Sequence, residues 1–462
     1  MLNVKIPNFC KNEILYSLEL ILGEFLGLSF EAEVHDSSYI KISNKNNLGE
    51  ITLDSSFFEK AQNSWLKNNS MPKLPLKYWI PADDGLNFNL VDKKLPVIYG
   101  EPGLIKKDKY FHINIDIFGS AFFMLSRYEE LVSDIRDNHN RFPASESLSF
   151  KGGFLDRPII NEYVEILKDC LTILWPDLIL MQRNANNFIT CDVDWPYEPA
   201  LYSSKFMIKK FIKTLILDKD IKGAFKSLYS YLLVKLNLSY RDPNRDGIEW
   251  IMKINELYGN RVAFYFITHN TSKLDTLKDE EFNSSDMRAL FKEIKQRGHE
   301  IGVHPGYETY NNPKNFKQTV DKIRKIINEE SIDQKNIGGR QHFLRWDTSQ
   351  TPKLCEANNL SYDSTLSYAD MAGFRCGICY EYTMYDLIDR RPMHLKQRPL
   401  IIMECSIIAN RYEGLGYSDE SMTRFENFKN ICHQFNGTFN LLWHNSHLKN
   451  SNDKIFYEKL IK

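Results

Sequence analysis

Two acidic residues, Asp192 and Asp194, lie two positions apart in the segment TCDVDWP, at the end of an apolar run. When two carboxylates lie this close, the pKa of one of them rises unless a cation lies beside the pair. The spacing therefore favours a bound metal ion. Two solvated acids in a loop are the other interpretation that this segment leaves open on its own.

His304 and Glu308 belong to the segment RGHEIGVHPGYE, a second apolar run with a polar end. Pro305 is compatible with the first turn of a helix, which would place His304 and Glu308 on one face at positions i and i+4. That spacing suits two ligands of one ion. A histidine in a loop is usually an ordinary surface residue, so this segment alone leaves both interpretations open.

The segments RQHFLRW and LLWHNS add the basic and imidazole side chains Arg340, His342, Arg345 and His444. Arg340 and His342 are two residues apart and would share one face of a strand. His444 follows a late apolar run. These side chains add basic and imidazole groups to the predicted strand ends.

From residue 187 onwards, apolar runs alternate with helical patterns. The predicted strands are NNFITCDVD, RVAFYFITHN, HEIGVHPG, GGRQHFLRW, LIIMECSIIA and GTFNLLWHN, and the predicted helices include SSDMRALFKEIKQRG and NFKQTVDKIRKIINEE. This alternation is typical of a parallel α/β sheet or barrel, whose reactive groups collect at the carboxyl ends of the strands. The polar ends of the apolar runs are therefore expected to meet.

The first 150 residues differ, because short apolar runs there are separated by Gly, Pro and Asp-Gly turn signals. The runs YIKIS, EITLD, KYWIPADDG and KLPVIYGEPG are predicted strands, and SAFFMLSRYEELVSDI and RPIINEYVEILKDCLTILWP are predicted helices. We therefore predict a smaller N-terminal α/β domain over residues 1–180 and a catalytic domain over residues 186–462.

A basic insertion at about residues 203–245 interrupts the predicted catalytic domain. Residues 205–238 contain eight Lys and two Asp, and apolar residues recur there at helical intervals. The pattern is typical of a helical insertion that packs on the domain and turns its lysines to water. It also fits a basic surface helix that makes peripheral contact with an anionic membrane face or an anionic glycan.

The composition restricts the class of protein. Hydrophobic residues make up 43% and charged residues 26% of the chain, as in folded globular proteins. The 59 Lys and Arg residues nearly cancel the 60 Asp and Glu residues, so the chain lacks the basic excess of a nucleic-acid-binding protein. We expect no nucleic-acid partner.

The amino-terminal apolar stretch is bordered or interrupted by Glu13, Glu19 and Glu24, which predicts an amphipathic helix instead of a signal peptide. No run reaches about 18 uncharged apolar residues, the length of a membrane span. We therefore expect a cytoplasmic protein, and we expect its eight cysteines to be buried or free thiols.

In order along the chain, TCDVDW, GHEIGVHPGYE, RQHFLRW and LLWHNS resemble the motif series of the polysaccharide deacetylase (NodB-homology, carbohydrate esterase) family over roughly residues 186–450. GHEIGVH is the most specific of the four segments. The strings VIYGEPG, FFMLSRYEE, LDRPII and YDSTLSYADMAGFRCG resemble a bacterial subfamily with an extra N-terminal domain, often associated with surface polysaccharide synthesis.

This resemblance implies a distorted (β/α) barrel and a divalent metal ion, usually zinc. It implies a hydrolase acting on carbon–nitrogen, non-peptide bonds, which removes acetyl groups, chiefly N-acetyl groups, from an acetylated glycan. By position, Asp192 matches the catalytic base and His444 the general acid. Asp194 and His304 match metal ligands, and Arg345 corresponds loosely to the arginine that holds the base carboxylate.

The chain departs from the family at one ligand, because Glu308 stands where a second histidine is expected. Either Glu308 or His342 completes the ligand set, and His342 is preferred because imidazole suits zinc at least as well as carboxylate. Val193 separates the two aspartates, which leaves the base and ligand roles exchangeable. A metal-free glycan-binding relative and an amidohydrolase acting on a small cyclic amide are the alternative functions.

Overall fold

The computed structural model describes residues 1–45, 47–217, 219–236, 238, 240–275, 282–448 and 451–462. These residues form two compact units. The first unit comprises residues 1–187, 310–313 and 343–441, and the second comprises residues 188–309, 314–342 and 442–462. The sequence predicts domains over residues 1–180 and 186–462, which would place residues 343–441 in the second domain. In the structure these residues group with the first unit. The predicted limits stay a prediction.

The strands alternate with helices along much of the chain. In chain order they are β1 (Leu2–Pro7), β2 (Phe30–His35), β3 (Ile40–Asn44), β4 (Asn47–Leu53), β5 (Lys77–Trp79), β6 (Leu95–Val97), β7 (Gly100–Lys107), β8 (Tyr110–Ile115), β9 (Asn186–Val193), β10 (Val262–Phe266), β11 (Glu300–Val303), β12 (Gly338–Gly339), β13 (Tyr362–Asp363), β14 (Tyr382–Asp386), β15 (Arg391–Gln397), β16 (Ile402–Met403) and β17 (Thr438–Leu442).

The α-helices range from one turn to more than four turns. They are α1 (Lys11–Leu18), α2 (Ser56–Ser64), α3 (Ile117–Leu125), α4 (Tyr128–Val132), α5 (Leu148–Lys151), α6 (Ile159–Leu174), α7 (Pro199–Tyr202), α8 (Ser204–Ile216), α9 (Ile221–Lys235), α10 (Pro243–Leu257), α11 (Ser285–Gln296), α12 (Pro313–Glu329), α13 (Thr351–Ala357), α14 (Glu404–Ile408), α15 (Asp419–Gln434) and α16 (Ser451–Ile461).

A six-stranded mixed sheet forms the amino-terminal part of the first unit, in the order β2-β1-β3-β4-β8-β7. The β1–β2 and β4–β8 pairs are parallel, and the remaining pairs are antiparallel. Phe57 lies in an aromatic cluster of this unit, with ring centroids 5.1 Å from Tyr99 and 5.2 Å from Tyr128. Burial of these large rings supplies much of the apolar contact in this unit.

The segment SAFFMLSRYEELVSDI, predicted as one helix, is divided into α3 and α4 at Arg127. Arg127 has a φ of 57°, in the left-handed region that interrupts a right-handed helix. Its guanidinium donates to Glu129, Glu130 and the carbonyl of Met124. The buried ion pairs explain the interruption, because a continuous helix would not give these three contacts from one guanidinium.

Glu130 joins two buried arginines in the first unit. Its Oε1 accepts from Arg127 Nε and Arg375 Nε at 2.9 Å, and its Oε2 accepts from Arg375 and Thr348. Burial by itself raises the pKa of Glu130, but the charges of Arg375 and Arg127 outweigh it and lower the pKa to about 2. Glu130 and Glu129 together therefore balance the charge of the two buried arginines.

Replacing Glu130→Gln should lower the free energy of unfolding at pH 7 by about 3–5 kcal/mol, because Arg375 would stay buried without its anion and Arg127 would keep only Glu129. The native pKa of Glu130 lies below its ordinary value of 4.5, so its stabilisation is complete above pH 4.5 and is lost as the pH falls towards 2. Urea unfolding of both proteins between pH 3 and 7 measures this. Glu101→Gln is the control, since Glu101 pairs with Lys77 at the surface, and an equal loss in both variants would contradict the assignment.

The second unit contains four parallel strands in the order β12-β11-β10-β9. Phe266 pairs with Val193 on one side and with Val303 on the other, and Val303 pairs with Gly339. The carboxyl ends of all four strands are therefore level. The small residue Gly302 is required within this sheet, because a Cβ there would lie 2.5 Å from the ring of Tyr265.

The strands predicted at NNFITCDVD, RVAFYFITHN, HEIGVHPG and GTFNLLWHN are confirmed as β9, β10, β11 and β17. Two predictions are wrong in part: GGRQHFLRW contributes only the two-residue β12, and LIIMECSIIA contains the short β16 followed by α14. The helical turn predicted from His304 to Glu308 is absent too, because the chain there forms a loop with a turn at Tyr307 and Glu308.

The mixed α/β architecture agrees with the prediction, but the barrel does not appear as predicted. Among the described residues of the second unit, the paired strands form an open row and do not close. None of the helices in the described ranges has the length and hydropathy of a membrane-spanning segment. The eight cysteines are free and buried, as predicted.

Candidate metal centre

The level carboxyl ends of the four parallel strands in the second unit bring distant parts of the chain together. Asp192 and Asp194 lie at the end of β9, and His304 immediately follows β11. His342 follows β12 by three residues, in a short 3-10 turn, where its N–H donates to the carbonyl of Pro305. This backbone hydrogen bond to Pro305 holds His342 at the edge of the sheet, although β12 ends three residues earlier.

Asp194, His304 and His342 form a group that could hold a metal ion, with one ligand atom from each residue within 4.8 Å of the others. Asp194 Oδ1 lies 3.4 Å from His304 Nε2 and 3.6 Å from His342 Nε2. The two imidazole rings are 5.0 Å apart. The structure therefore brings together the three residues for which the sequence predicts metal binding.

Both imidazoles are oriented through their Nδ1 atoms. His304 Nδ1 donates to the carbonyl of Arg340 at 2.6 Å, and His342 Nδ1 bonds Asp275 Oδ1 at 2.8 Å. Because Nδ1 carries the proton in such a bond, the lone pair of a neutral ring is on Nε2. Both Nε2 atoms face Asp194, which is the arrangement that metal-ligating histidines adopt.

This donor set fits zinc. Zinc binds imidazole nitrogen and carboxylate oxygen at about 2.0–2.2 Å in tetrahedral geometry, which places two ligand atoms about 3.3 Å apart. The separations of 3.4 Å and 3.6 Å from Asp194 Oδ1 to the two Nε2 atoms are close to this value. A mixed nitrogen and oxygen set also suits zinc better than magnesium or calcium, which prefer oxygen alone.

Glu308, the alternative third ligand, is not in the group that holds Asp194, His304 and His342. Its side chain is exposed, and its backbone N–H donates to Thr271 Oγ1. The physical reason is the loop after β11, which buries His304 and turns Glu308 towards solvent.

Asp192 is held by Arg340. The Nη1 atom of Arg340 donates to Asp192 Oδ1 and to Thr190 Oγ1, both at 2.8 Å, and both charged side chains are buried. The guanidinium also lies over the ring of Tyr265 at 5.1 Å. A charge-assisted hydrogen bond of this kind orients a carboxylate and favours its ionised form.

We predicted this contact for Arg345, and the structure makes it with Arg340. Arg345 lies in the first unit, where its Nε donates to the carbonyl of His139 and its guanidinium lies 3.9 Å from the centroid of the Tyr310 ring. The two arginines are five residues apart in one segment. Arg340 directly follows β12 at the edge that carries Asp192, which explains why it reaches the carboxylate.

His444, the predicted general acid, follows β17 and belongs to the second unit. Its Nε2 lies 4.0 Å from Asp194 Oδ2. It is thus on the Oδ2 side of Asp194, whereas His304 and His342 lie nearer Oδ1.

His299, which the sequence did not place in the site, has a structural role: its Nδ1 accepts from the N–H of Val262.

The charges around Asp194 and His304 favour a bound cation. Burial by itself raises the pKa of Asp194, but the hydrogen bond with His304 and the charges of His342 and His444 hold it below its usual value. Burial by itself lowers the pKa of His304, whereas Asp192 and Asp194 raise it above its usual value. The two carboxylates thus create a negative potential at His304 Nε2, where a proton and a metal ion compete.

Asp275 is a functional candidate that the sequence analysis missed. Its carboxylate accepts from His342 Nδ1 and also from the N–H and Oγ1 of Thr271 and the N–H of Tyr307, at 2.7–2.8 Å. Together these bonds lower its pKa, although burial alone would raise it. The only sequence signal was an acidic residue shortly after β10, which is too common a feature to single out.

The HPG motif requires a residue without a side chain at Gly306. A Cβ at Gly306 would lie 2.6 Å from Asp275 Oδ2 and 2.8 Å from Thr271 Oγ1. A side chain there would displace the carboxylate that orients His342. The glycine next to Pro305 therefore belongs to the support of the metal centre.

Single substitutions Asp194→Ala, His304→Ala and His342→Ala should each abolish stoichiometric zinc binding, because each removes one of three donor atoms around a shared point. Metal content after dialysis against one equivalent of zinc, measured by inductively coupled plasma mass spectrometry, checks this. Glu308→Ala is the matched control and should retain the metal. Loss of zinc in Glu308→Ala with retention in His342→Ala would assign the third ligand to Glu308.

Asp275→Asn should weaken zinc affinity by about 10–100-fold, because the amide cannot hold the imidazole of His342 as the carboxylate does. Competition with a chromophoric chelator gives the dissociation constants, and Asp321→Asn, at an exposed ion pair with Lys317, is the control. An affinity of Asp275→Asn equal to that of the wild type would contradict this role of the carboxylate.

The fold and the site define a class: a mixed α/β protein with a candidate metal centre at the carboxyl edge of a parallel sheet. Residues 2–176 match a family of unknown function (DUF7033). The comparison with curated proteins finds no match.

Two solved structures resemble the chain at low identity. A structure named as a polysaccharide deacetylase, from Mycobacterium smegmatis, has a TM-score of 0.39 and 14% identity, covering 62% of this chain and 84% of that one. Puue allantoinase has a TM-score of 0.31 and 11% identity, covering 46% of this chain and 65% of that one. At TM-scores below 0.5, neither similarity establishes the fold or the activity of this protein.

Proposed function

We propose that this protein is a metal-dependent hydrolase that removes acetyl groups, chiefly N-acetyl groups, from an amino-sugar-containing glycan. The observation that carries the proposal is the convergence of Asp194, His304 and His342 beside the buried pair of Asp192 and Arg340. A site with a potential metal position, a separate buried carboxylate and a nearby imidazole has the components for hydrolysis of an acyl bond.

The substrate class is supported by the sequence. The segments TCDVDW, GHEIGVHPGYE and LLWHNS resemble polysaccharide deacetylases, and each contributes a residue to the site: Asp194, His304 and His444. We further propose a place in surface polysaccharide metabolism, on the resemblance of the amino-terminal strings to a bacterial subfamily associated with it.

Zinc held by Asp194, His304 and His342 would supply Lewis acidity towards the acyl carbonyl and a water nucleophile at neutral pH. Asp192 is the proposed base. Arg340 holds its Oδ1, while its Oδ2 lies 3.8 Å from His304 Nε2 and thus faces the same space. From that position the carboxylate can accept the proton of the attacking water.

His444 is the proposed acid. Its Nε2 approaches Asp194 from the Oδ2 side, at 4.0 Å. A proton on Nε2 would pass to the nitrogen that leaves when the amide bond breaks, releasing acetate and a free amine. The base and the acid would thus come from the ends of two different strands, β9 and β17.

The test is acetate release from a panel of N-acetylated and O-acetylated glycans, with and without chelator. We expect release by the wild-type protein that stops with chelator and returns with zinc. Asp192→Asn and His444→Ala should lower the rate at least about 100-fold, in line with the usual contribution of acid–base groups, while zinc content stays unchanged. Glu308→Ala serves as the control and should retain wild-type rates.

Three outcomes would reject the proposal. Rates that survive chelation and the substitutions His304→Ala and Asp194→Ala would show that the site is elsewhere. Stoichiometric zinc with hydrolysis of a small cyclic amide, but of no acetylated glycan, would favour an amidohydrolase. Glycan binding by a protein that binds no zinc and releases no acetate would favour a non-catalytic binding protein.

A further inference from the structure

The helices α8 and α9, here called the lysine-rich helix pair, expose an unusual amount of apolar surface. No residue of α8 is buried, although the helix contains seven large apolar side chains. The exposed fractions reach 63% at Ile216 and 62% at Ile221, at the facing ends of the two helices. Single exposed apolar residues are ordinary in folded proteins, but contiguous ones mark an interaction surface.

The exposed apolar residues form stripes. On α8, Ile208, Ile212 and Ile216 recur every four residues and are all exposed. On α9 and at its C-cap residue Leu236, five exposed residues lie within about 80° of one another around the helix, at 100° per residue. They are Ile221, Phe225, Tyr229, Leu232 and Leu236. Each helix therefore presents a continuous apolar stripe to its surroundings.

Lysines lie directly beside these stripes. On α8, exposed Lys205, Lys209 and Lys213 also recur every four residues, adjacent to the isoleucine stripe. On α9, Lys222 and Lys226 flank the stripe on one side. Residues 204–236 contain eight Lys and two Asp, a net charge of +6, whereas the whole chain has a net charge of −1.

The two helices contact each other partly through one stripe residue. The rings of Phe211 and Phe225 meet edge to face at 5.6 Å, and Ala224 is fully buried. Lys210 forms an ion pair of 2.9 Å with Glu198, just before the pair begins. Phe225 still exposes 58% of its surface and the other stripe residues are exposed too, so most of the two apolar stripes remains available.

We propose that the lysine-rich helix pair binds the surface of an anionic lipid bilayer. Amphipathic helices with apolar side chains on one face and lysines beside them lie in the membrane interface, where the apolar groups enter the acyl boundary and the lysines meet the headgroups. The contact is peripheral, because neither helix has the length or hydropathy of a membrane span. The inference does not rest on the proposed hydrolase activity.

The positive charge and the apolar stripes of the lysine-rich helix pair favour an anionic bilayer over a second copy of the chain or an anionic glycan. A second copy of the chain would oppose two segments of charge +6, which repel each other. An anionic glycan would account for the lysines but would leave the stripes of α8 and α9 in water. A bilayer with anionic headgroups satisfies both features, since it offers negative charge and apolar depth at the same surface.

Co-sedimentation of the full chain with vesicles tests the proposal. Vesicles of phosphatidylcholine alone are compared with vesicles containing 30% phosphatidylglycerol, in 100 mM salt. We expect binding to the anionic vesicles that is at least tenfold tighter than to the neutral ones and that weakens with added salt. A tryptophan placed by Phe225→Trp should shift its emission to the blue on binding, which reports entry of the stripe into the apolar layer.

Two variants separate the contributions of the surface. Ile212→Ser with Ile216→Ser and Tyr229→Ser shortens the apolar stripes, and Lys205→Gln with Lys209→Gln and Lys213→Gln removes charge. Each triple variant should reduce the affinity at least tenfold with unchanged circular dichroism, because these side chains are exposed. The matched control replaces three exposed lysines of α12, Lys314→Gln with Lys317→Gln and Lys325→Gln, and should bind as the wild type does.

Several results would overturn the proposal. Equal affinity for both vesicle types, no sedimentation with either, or no blue shift at position 225 would exclude an anionic bilayer as the occupant. Loss of binding in the lysine variant alone would show simple charge attraction, as expected for a glycan. A dimer that dissociates in the apolar variant would identify a second copy of the chain as the partner.

Discussion

The candidate site depends on one constraint, the register of the parallel strands β9 to β12. Because Val193, Phe266, Val303 and Gly339 are paired in one row, the four strands end at the same level. Side chains near these strand ends are then close in space, as in the bond between Thr190 and Arg340, which lie 150 residues apart in the chain. A shift by one residue in any strand would turn its side chains to the other face.

Each unit buries arginine charge and neutralises it in its own way. In the first unit, Glu130 is shared between Arg127 and Arg375, and the three side chains are enclosed. In the second unit, Arg340 meets Asp192, whose other oxygen faces the candidate metal centre. The cost of burying charge is offset in both cases by close, hydrogen-bonded pairing. The ion pairs of Glu130 join distant segments of the first unit. The pair of Arg340 and Asp192 also orients a carboxylate beside the candidate metal centre.

The fold was predictable where the local pattern is unambiguous. Strands with alternating or short apolar runs and clear polar ends, such as β9 and β11, were found from the sequence, as was the long amphipathic helix α12. The segment LIIMECSIIA was predicted as a strand and contains α14, because the periodicity of a short apolar run does not separate a buried strand from a buried helix. The closure of a sheet into a barrel depends on long-range pairing, which no local pattern reports.

For the site, the sequence indicated Asp194 and His304, which directly follow strands and whose types and spacing favour a metal, and it preferred His342 over Glu308 as the third ligand. Only the folded chain brings His342 beside the first two residues, leaves Glu308 exposed, and brings Arg340 instead of Arg345 to Asp192. These positions follow from loops that have left their strands, and the path of such a loop is set by contacts with distant segments. Local sequence pattern carries no information about those contacts.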